Sequence, residues 1–450
     1  MADSRETPTF NMKVVVRETG LKPDTLRAWE RRYGMPNPKR TVGGHRLYSQ
    51  HEIDMLKWLI ERQEEGLSIS HAVDLWQQIK GEGNDPLQGE DTALPASEPV
   101  VPIHGEMLAA LCDAWVDACL NFNEHEAQHI LAQAFARYPT EVVCFDILQK
   151  GLVNVGQGWY EGRISVQQEH FASALAVRQL EALLAASPPP THDVRILIGC
   201  PPEELHTFSP LVLSLLLRRR GYDVVYLGAN VPLERLETAV SHIKPQLVIL
   251  SAQTLHTAGL MLPMAYLMVD MQIPFAYGGA VFNYLEGARK PFPGHFLGNE
   301  LKAVPDVLNA VLHVGNNPTP EITISPAYTQ ALAHFVERRS AIEADLQKAG
   351  SIDNVPANLL QFANQDLGNN IEAALKLCNV DLLAANINWV KGLLMNYHYH
   401  MPDELMSRYI KMYNKAAKDN LDARGKPILD WFSQVIKNEQ ALSAIRHSEE

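Results

Sequence analysis

The spacing of apolar residues changes along the chain and predicts segments of different structure. Between residues 104 and 186 apolar side chains recur at helical spacing, with Leu108, Leu111, Trp115 and Cys119 on one face, which predicts a helical bundle. Residues 192–314 alternate short apolar strands with helices, and this alternation predicts a doubly wound parallel sheet. The predicted strands are Val194–Ile198, Val224–Leu227, Leu247–Ser251, Phe275–Tyr277 and Phe296–Leu297.

Both ends of the chain read as helical, and polar stretches rich in Gly and Pro separate the segments. We therefore expect a multidomain α and α/β protein. The predicted domains are a helical unit with a Gly- and Arg-rich turn at 10–80, a four-helix bundle at 104–190, the sheet domain at 191–315 and a C-terminal helical bundle at 326–442, with linkers at 81–103 and 316–325.

Composition narrows the class of protein. No apolar run approaches the length of a bilayer span, and the N-terminus lacks a secretory pattern. The five cysteines form no CxxC pair, which favours reduced thiols and a cytoplasmic location. The net charge is -13, yet Lys13 to Arg46 carries nine Lys and Arg against three acidic residues. A basic arm of about +6 on an acidic body indicates either contact with nucleic acid or a solvated basic face.

A specific pattern within this basic stretch favours DNA binding. Gly20 supplies the turn of a helix-turn-helix, the next helix is predicted at about Pro23 to Tyr33, and Gly43-Gly44 forms a hairpin tip. The stretches WERRYG at 29–34 and RTVGGHRLY at 40–48 together resemble the winged helix-turn-helix domain of the MerR family. Double-stranded operator DNA is the expected partner. The candidate DNA-binding residues are Thr25, Arg27, Arg31, Arg32, Arg40, His45, Arg46 and Tyr48.

A second candidate site follows the first predicted strand of the sheet. Glu204-Leu205-His206 lies at the carboxyl edge, where doubly wound sheets bind ligands. A neutral imidazole can bind a metal there while a carboxylate holds its other ring N–H. The alternative is an ordinary loop.

The sheet segment resembles the cobalamin-binding domain of methionine synthase and of CarH-type light-responsive repressors. The matching pieces are Glu204-x-His206, Ser251 with the two residues after it, and Gly278-Gly279. The resemblance implies that His206 is the lower cobalt ligand and that Ser251 and the paired glycines line a slot for the nucleotide tail. Ser209 departs from the family pattern, which has glycine there.

The bundle resembles the domain that covers the upper corrin face in CarH proteins. By position, Trp159 would pack on an adenosyl group, and Glu169 and His170 would help to cradle it. The resemblance thus implies adenosylcobalamin as the cofactor. Tyr160 stands where CarH proteins have the His that captures cobalt after illumination. Tyrosine has no imidazole, so either His170 or water would take that role.

The predicted C-terminal helices extend beyond the segments that resemble CarH proteins, and two interpretations of their role remain open. One is a packing or dimerisation module. The other is a second sensor pocket, in which His398 and His400 beside Tyr397 hold a bilin such as biliverdin, because the segment is faintly similar to the bilin-binding domain of photocobilins.

The leading hypothesis is a non-enzymatic, cobalamin-dependent and light-responsive transcriptional regulator. Its cofactor state would control operator binding through a homo-oligomer, either a dimer or a tetramer. One alternative is a regulator that carries both cobalamin and a bilin. A corrinoid methyl carrier is a second alternative, although it would have no use for residues 12–48.

Overall fold

The computed structural model describes residues 8–40, 46–64, 103–348, 357–385 and 403–446, with a few single positions between and after these ranges. The chain forms two compact units, Met1–Gly105 and Glu106–Glu450. No helix in the described ranges is long and apolar enough to cross a membrane.

The first unit packs helices on a small antiparallel sheet. Its described elements are β1 (Phe10–Asn11), α1 (Met12–Thr19), α2 (Pro23–Tyr33), β2 (Lys39–Arg40), β3 (Arg46–Tyr48) and α3 (Gln50–Glu64), with the strand order β1-β3-β2. The hairpin of β2 and β3 is the predicted wing, and its tip at 41–45 lies outside the described residues.

Local signals explain the ends of the first two helices. The Asn11 side chain accepts hydrogen bonds from the first free N–H groups of α1. Gly20 ends that helix at φ 71°, a backbone conformation that glycine adopts without a Cβ penalty. Pro23 then opens α2, where its missing N–H costs nothing. Helix α2 has the bounds that the sequence predicted.

The second unit begins with the predicted helical bundle, which the structure confirms. Its helices are α4 (Ile103–Leu120), α5 (Glu124–Arg137), α6 (Thr140–Val143), α7 (Lys150–Tyr160) and α8 (Val166–Ala185). A π-helical turn at Cys144–Gln149 joins α6 to α7. Trp115 and Cys119 are fully buried in the bundle core, and Leu108 and Leu111 pack against its edge.

A five-stranded parallel sheet follows, as predicted. Its elements are β4 (Arg195–Gly199), α9 (Phe208–Arg219), β5 (Asp223–Gly228), α10 (Leu236–Ile243), β6 (Leu247–Ser251), α11 (Leu255–Asp270), β7 (Phe275–Gly278), α12 (Ala280–Tyr284), β8 (His295–Phe296) and α13 (Val304–Val314). The strand order is β5-β4-β6-β7-β8. Every strand lies within one residue of its predicted bounds.

Both faces of the sheet are covered, which explains why its strands read as continuous apolar runs. Ile196 and Ile198 face one core with α9 and α13. Leu197 and Val248 face the other core, which they share with α11. Helix α9 also packs against the bundle, through Leu211 and its neighbours.

The C-terminal helices pack directly on the sheet domain. They are α14 (Pro326–Lys348), α15 (Ala357–Lys376), α16 (Asp403–Asn420) and α17 (Lys426–Arg446). Phe335, Ile371 and Phe432 belong to the same buried cluster as Val248 of the sheet. The two domains therefore share one core.

The segment predicted as a second linker, 316–325, is held against the sheet domain. Asn317 accepts a hydrogen bond from the Phe275 N–H at 2.6 Å and donates one to the Ile273 carbonyl at 2.8 Å. The proposed bilin residues His398, His400 and Tyr397 lie outside the described residues.

Candidate functional site

The loop between β4 and α9 is tied to neighbouring segments by backbone hydrogen bonds. Glu203 adopts φ 62°, and its N–H donates to the Asn230 side chain at 2.9 Å. The Asn230 N–H in turn donates to the Glu204 carbonyl at 3.0 Å. This double link to the segment after β5 holds the loop over the carboxyl edge of the sheet.

The side chain of Glu204 bridges the two strands at which the strand order reverses. It is 1% exposed, although a buried carboxylate normally requires compensation. The Gln253 N–H, just after β6, donates to Oε2 at 2.7 Å, and the Thr257 hydroxyl donates to the same oxygen at 2.7 Å. Sheets of this strand order bind ligands at that reversal, here between β4 and β6.

The other oxygen of Glu204 fixes the ring of His206. Its Oε1 lies 2.6 Å from the His206 Nδ1 atom and also accepts the His206 backbone N–H at 2.9 Å. An ionised carboxylate only accepts, so Nδ1 carries the proton and Nε2 remains as the metal-binding nitrogen.

The pKa values of this pair follow from the same contacts. Burial alone would raise the pKa of Glu204, but hydrogen bonds from His206, Gln253 and Thr257 together hold it below its usual value. The hydrogen bond to Glu204 raises the pKa of His206. Burial raises the pKa of the neighbouring Cys200 thiol to about 12, so that thiol stays protonated.

A cavity of about 840 Å³ opens beside His206 and runs along the carboxyl edge of the sheet. Ser251, Gly278 and Gly279, which were predicted to line a slot for a nucleotide tail, line this cavity, and so does Ser209. A Cβ atom on Gly278 would meet nothing within 4 Å, so it would project into open space. This cavity is therefore a slot that a side chain at position 278 would enter.

Gly279 is required for a different reason. Its φ is 117°, and a Cβ atom would lie 1.9 Å from the Ala252 carbonyl oxygen. Close packing of β7 on the segment after β6 thus excludes any side chain there. The Gln253 side chain links the same segments, since it donates to Ser251 at 3.1 Å and accepts the Ala280 N–H at 2.9 Å.

A second cavity of about 1650 Å³ adjoins the first, and His206 borders both. Trp159 lines this larger cavity. Glu169 and His170 line the slot instead, where the Glu169 carboxylate lies 2.6 Å from the His170 Nδ1 atom. The structure therefore brings the three predicted upper-face residues close to His206, but it divides them between two adjoining cavities.

The structure differs from the sequence-based prediction at one residue, and it adds to the site several residues that were not predicted. Tyr160 is half-buried at the end of α7 and is not among the described residues that line either cavity. Sequence reasoning missed Thr257 and Asn230, which act through Glu204 and its loop. The signal for Thr257 was its position one turn into the helix that follows β6. Helix α15 also lines the larger cavity, which sequence reasoning did not predict.

In the first unit, α2 buries one face and exposes the other. Leu26 and Trp29 lie in the core, whereas Arg27 and Arg31 are exposed one turn apart on the same face. Thr25 is half-buried beside them. Exposed arginines at this spacing can read bases or bind phosphates in the major groove.

The predicted wing residues differ in their surroundings. Arg46 pairs with Glu30 of α2 at 2.7 Å, and Arg40 lies 3.6 Å from the same carboxylate. The hydrogen bond to Glu30 raises the pKa of Arg46. The Arg32 side chain and His45 lie outside the described positions.

Tyr48 requires a correction. It was predicted to contact DNA, but its side chain is only 1% exposed and packs in the core of the first unit. Residues two apart on a strand share a face, so Tyr48 lies on the same face of β3 as Arg46, which pairs with Glu30 of α2. Burial raises the pKa of Tyr48 to about 12. We assign Tyr48 to the core.

Comparison with known families agrees with this architecture. Residues 10–79 match the MerR HTH family of regulatory proteins. Residues 111–184 and 194–298 match two different families, each described as a B12 binding domain. The fold and site therefore define a MerR-type DNA-binding protein with a two-part B12-binding region.

Two transcriptional repressors of Myxococcus xanthus are similar to this chain in sequence. The chain is 33% identical to the HTH-type transcriptional repressor CarH over 243 residues, which is 54% of this chain and 78% of CarH. It is also 33% identical to the repressor CarA over 245 residues, 54% of this chain and 76% of CarA. The chain belongs to the CarH/CarA family of HTH-type transcriptional repressors.

Among solved structures, the methanol:cobalamin methyltransferase complex MtaBC from Methanosarcina barkeri is similar at 22% identity. The match covers 50% of this chain and 86% of that chain, with a TM-score of 0.24.

Proposed function

We propose that this chain is a transcriptional regulator that binds operator DNA through its first unit and a cobalamin through its second. The observation that supports it most is the Glu204–His206 pair at the strand-order reversal. A buried carboxylate with four donors holds one imidazole in the tautomer that a metal requires, and a slot opens beside it at Gly278.

The residues at the site fit a corrinoid. His206 would bind cobalt through Nε2, while Glu204 sets the orientation of its ring. Gly278 and Ser251 would border the nucleotide tail in the slot. Ser209 also borders that slot, and its hydroxyl offers the tail a hydrogen-bond partner.

We further propose that the upper ligand is adenosyl. A bound adenosylcobalamin would supply a cobalt–carbon bond that light cleaves. Trp159 offers a flat apolar surface that excludes water, and Glu169 can accept hydrogen bonds from hydroxyl groups. The indole would lose its packing partner when that ligand leaves.

Cofactor state would act on DNA binding through linkage. A cofactor can change DNA affinity only by as much as it prefers one arrangement of the protein over another. We propose that the two arrangements differ in oligomeric state, as a dimer or a tetramer, and that the chain acts in the cytoplasm without an enzymatic activity of its own.

A gel-shift experiment in the dark and after illumination tests this function. The protein would be reconstituted with adenosylcobalamin and titrated onto a DNA fragment selected by binding from a random pool. We expect the affinity for DNA to change on illumination, together with the oligomeric state measured by light scattering. His206→Ala should alter the absorption spectrum of the bound corrinoid, because it removes the lower ligand.

Two results would count against the proposal. Wild-type protein that takes up no corrinoid would exclude a cobalamin sensor. Equal DNA affinity in darkness, in light and without cofactor would show that the cofactor does not control binding.

A further inference from the structure

Four of the twelve large apolar residues that are exposed in the described part of the second unit line the larger cavity. Val166, Leu205, Tyr284 and Phe362 all line it, and Phe362 is 67% exposed. Single exposed apolar residues are ordinary, whereas a group around one cavity indicates a surface that a ligand or partner covers. These four residues come from the bundle, the sheet domain and the C-terminal helices.

Helix α15 presents one face to this cavity. Leu359, Phe362, Asp366 and Asn369 all line it, at intervals of three, four and three residues that place them along one side of a helix. The opposite side of α15 enters the C-terminal core, for example through Ile371. The cavity face is apolar at its first turn and polar further along.

The position of α15 beside the cavity is fixed by close packing. A Cβ atom on Gly259 of α11 would lie 2.7 Å from the Ala373 Cα atom, so the two helices touch backbone to side chain. Arg339 of α14 also holds α15 in place. It donates hydrogen bonds to the Glu372 carboxylate at 2.7 Å and to the Gln365 carbonyl at 3.0 Å, and both acceptors lie on α15.

We propose that α15 is a third wall of the corrinoid site and that Phe362, Asp366 and Asn369 contact the bound corrinoid. The inference rests on the proposed cobalamin-binding function and extends it to a region that no matched family covers. The C-terminal bundle would then be part of the cofactor-binding structure, in addition to the bundle above the cofactor.

The shared lining of the two cavities supports a single ligand. Leu205, His206 and Gln253 border both cavities, so a ligand centred on His206 extends into each of them. A corrin ring has an apolar face and a rim of amide side chains. The first suits Phe362, and the second suits the carboxylate of Asp366 and the amide of Asn369.

Titration of the full chain with cobalamin, followed by absorbance, tests this wall. Phe362→Ala should weaken corrinoid affinity by about tenfold, since it removes an aromatic surface that the bound corrinoid would cover. Asn369→Trp should weaken it by a similar factor because the indole occupies ligand space. The matched control is Val336→Ala on α14, whose side chain is 52% exposed and lies outside both cavities. It should bind as the wild type does.

Hydrogen exchange gives a second measurement on the wild-type chain. Amides of residues 357–370 should exchange more slowly when cobalamin is bound. Unchanged affinity in both Phe362→Ala and Asn369→Trp would overturn the third wall while the cobalamin site stands. Absence of corrinoid uptake by the wild type would instead overturn the proposed function and, with it, this inference.

Discussion

Glu204 is the residue on which the geometry of the candidate site depends. It lies almost fully buried in the loop after β4 and accepts hydrogen bonds from three residues, two of which, Gln253 and Thr257, follow β6. A charge in this position is stabilised only while every donor is in place. The same carboxylate therefore fixes the tautomer of His206 and joins two strands.

We predict that Glu204→Gln destabilises the fold even without cofactor. The new amide NH₂ cannot accept a hydrogen bond, so at the Oε2 position it would leave the Gln253 N–H without an acceptor. The expected loss is about 1–3 kcal/mol of unfolding free energy, visible as a lower melting temperature. Glu234→Gln, which removes an exposed carboxylate of the same domain, is the control and should melt close to the wild type. Equal melting of Glu204→Gln and the wild type would contradict the role of Glu204.

Substitutions of the adjacent residues Gly278 and Gly279 should have different effects. Gly278→Leu should preserve the fold, because its side chain enters open space, and should fill the slot. Cobalamin affinity should fall by about 10–100-fold, whereas a corrinoid lacking the nucleotide tail should still bind. Absorbance titrations with the two corrinoids measure this difference. Equal losses for both would show that the tail does not occupy the slot.

Gly279→Ala provides the contrast. Its Cβ atom would meet the Ala252 carbonyl at 1.9 Å in a backbone conformation that alanine rarely adopts. We expect a lower melting temperature in the absence of any corrinoid.

At the scale of elements, the contact between α11 and α15 joins the sheet domain to the C-terminal bundle. Gly259 allows this contact, because a side chain there would enter the space of Ala373. The shared core that includes Phe335 and Phe432 depends on the same approach of the two helices.

We predict that Gly259→Ala lowers the melting temperature, although alanine is the better helix former. The clash should cost about 1–3 kcal/mol, which outweighs the gain of about 1 kcal/mol in helix propensity. Gly156→Ala on α7 is the matched control, since its Cβ atom would meet nothing within 4 Å. That variant should melt at the same or a higher temperature. A stabilised Gly259→Ala would show that the contact relaxes easily.

The sequence predicted elements better than it predicted their contacts. Apolar runs placed β6 at its observed bounds, and Gly20 with Pro23 placed the start of α2, because these signals are local. The role of α15 was not predictable, since Phe362 reads as an ordinary position on an amphipathic helix. The exposure of Phe362 depends on which neighbouring elements pack against its helix. Tyr48 was misassigned for the same reason, because the alternation of a three-residue strand does not show which face is buried.

At the scale of the whole molecule, the distribution of charge along the chain indicates which part contacts DNA. The stretch from Lys13 to Arg46 is basic, while the chain as a whole carries -13. A basic stretch on an acidic chain favours contact with DNA through that stretch. Since Arg46 is paired with Glu30, Arg31 is the better candidate for a contact of α2 with DNA.

We predict that Arg31→Ala weakens DNA binding by about tenfold. The measurement is affinity at several salt concentrations. A reduction of about one in the slope of log affinity against log salt would identify a phosphate contact, because one fewer counterion is released. Arg178→Ala in the bundle removes the same charge and should leave the affinity unchanged. Equal affinity of both variants would remove Arg31 from the interface.

The coupling between the units gives the last prediction, which combines two of these variants. Arg31→Ala alters contact with DNA and not the cofactor, so it should weaken binding in darkness and in light by the same factor. The ratio of the two affinities should then equal that of the wild type. Gly278→Leu should do the opposite: its DNA-contacting residues are unchanged, and the ratio should approach one at a concentration of adenosylcobalamin that saturates the wild type but not this variant. Gel shifts of both variants with adenosylcobalamin, before and after illumination, measure these ratios. A normal light response in Gly278→Leu would mean that light acts elsewhere in the chain than at the slot beside His206.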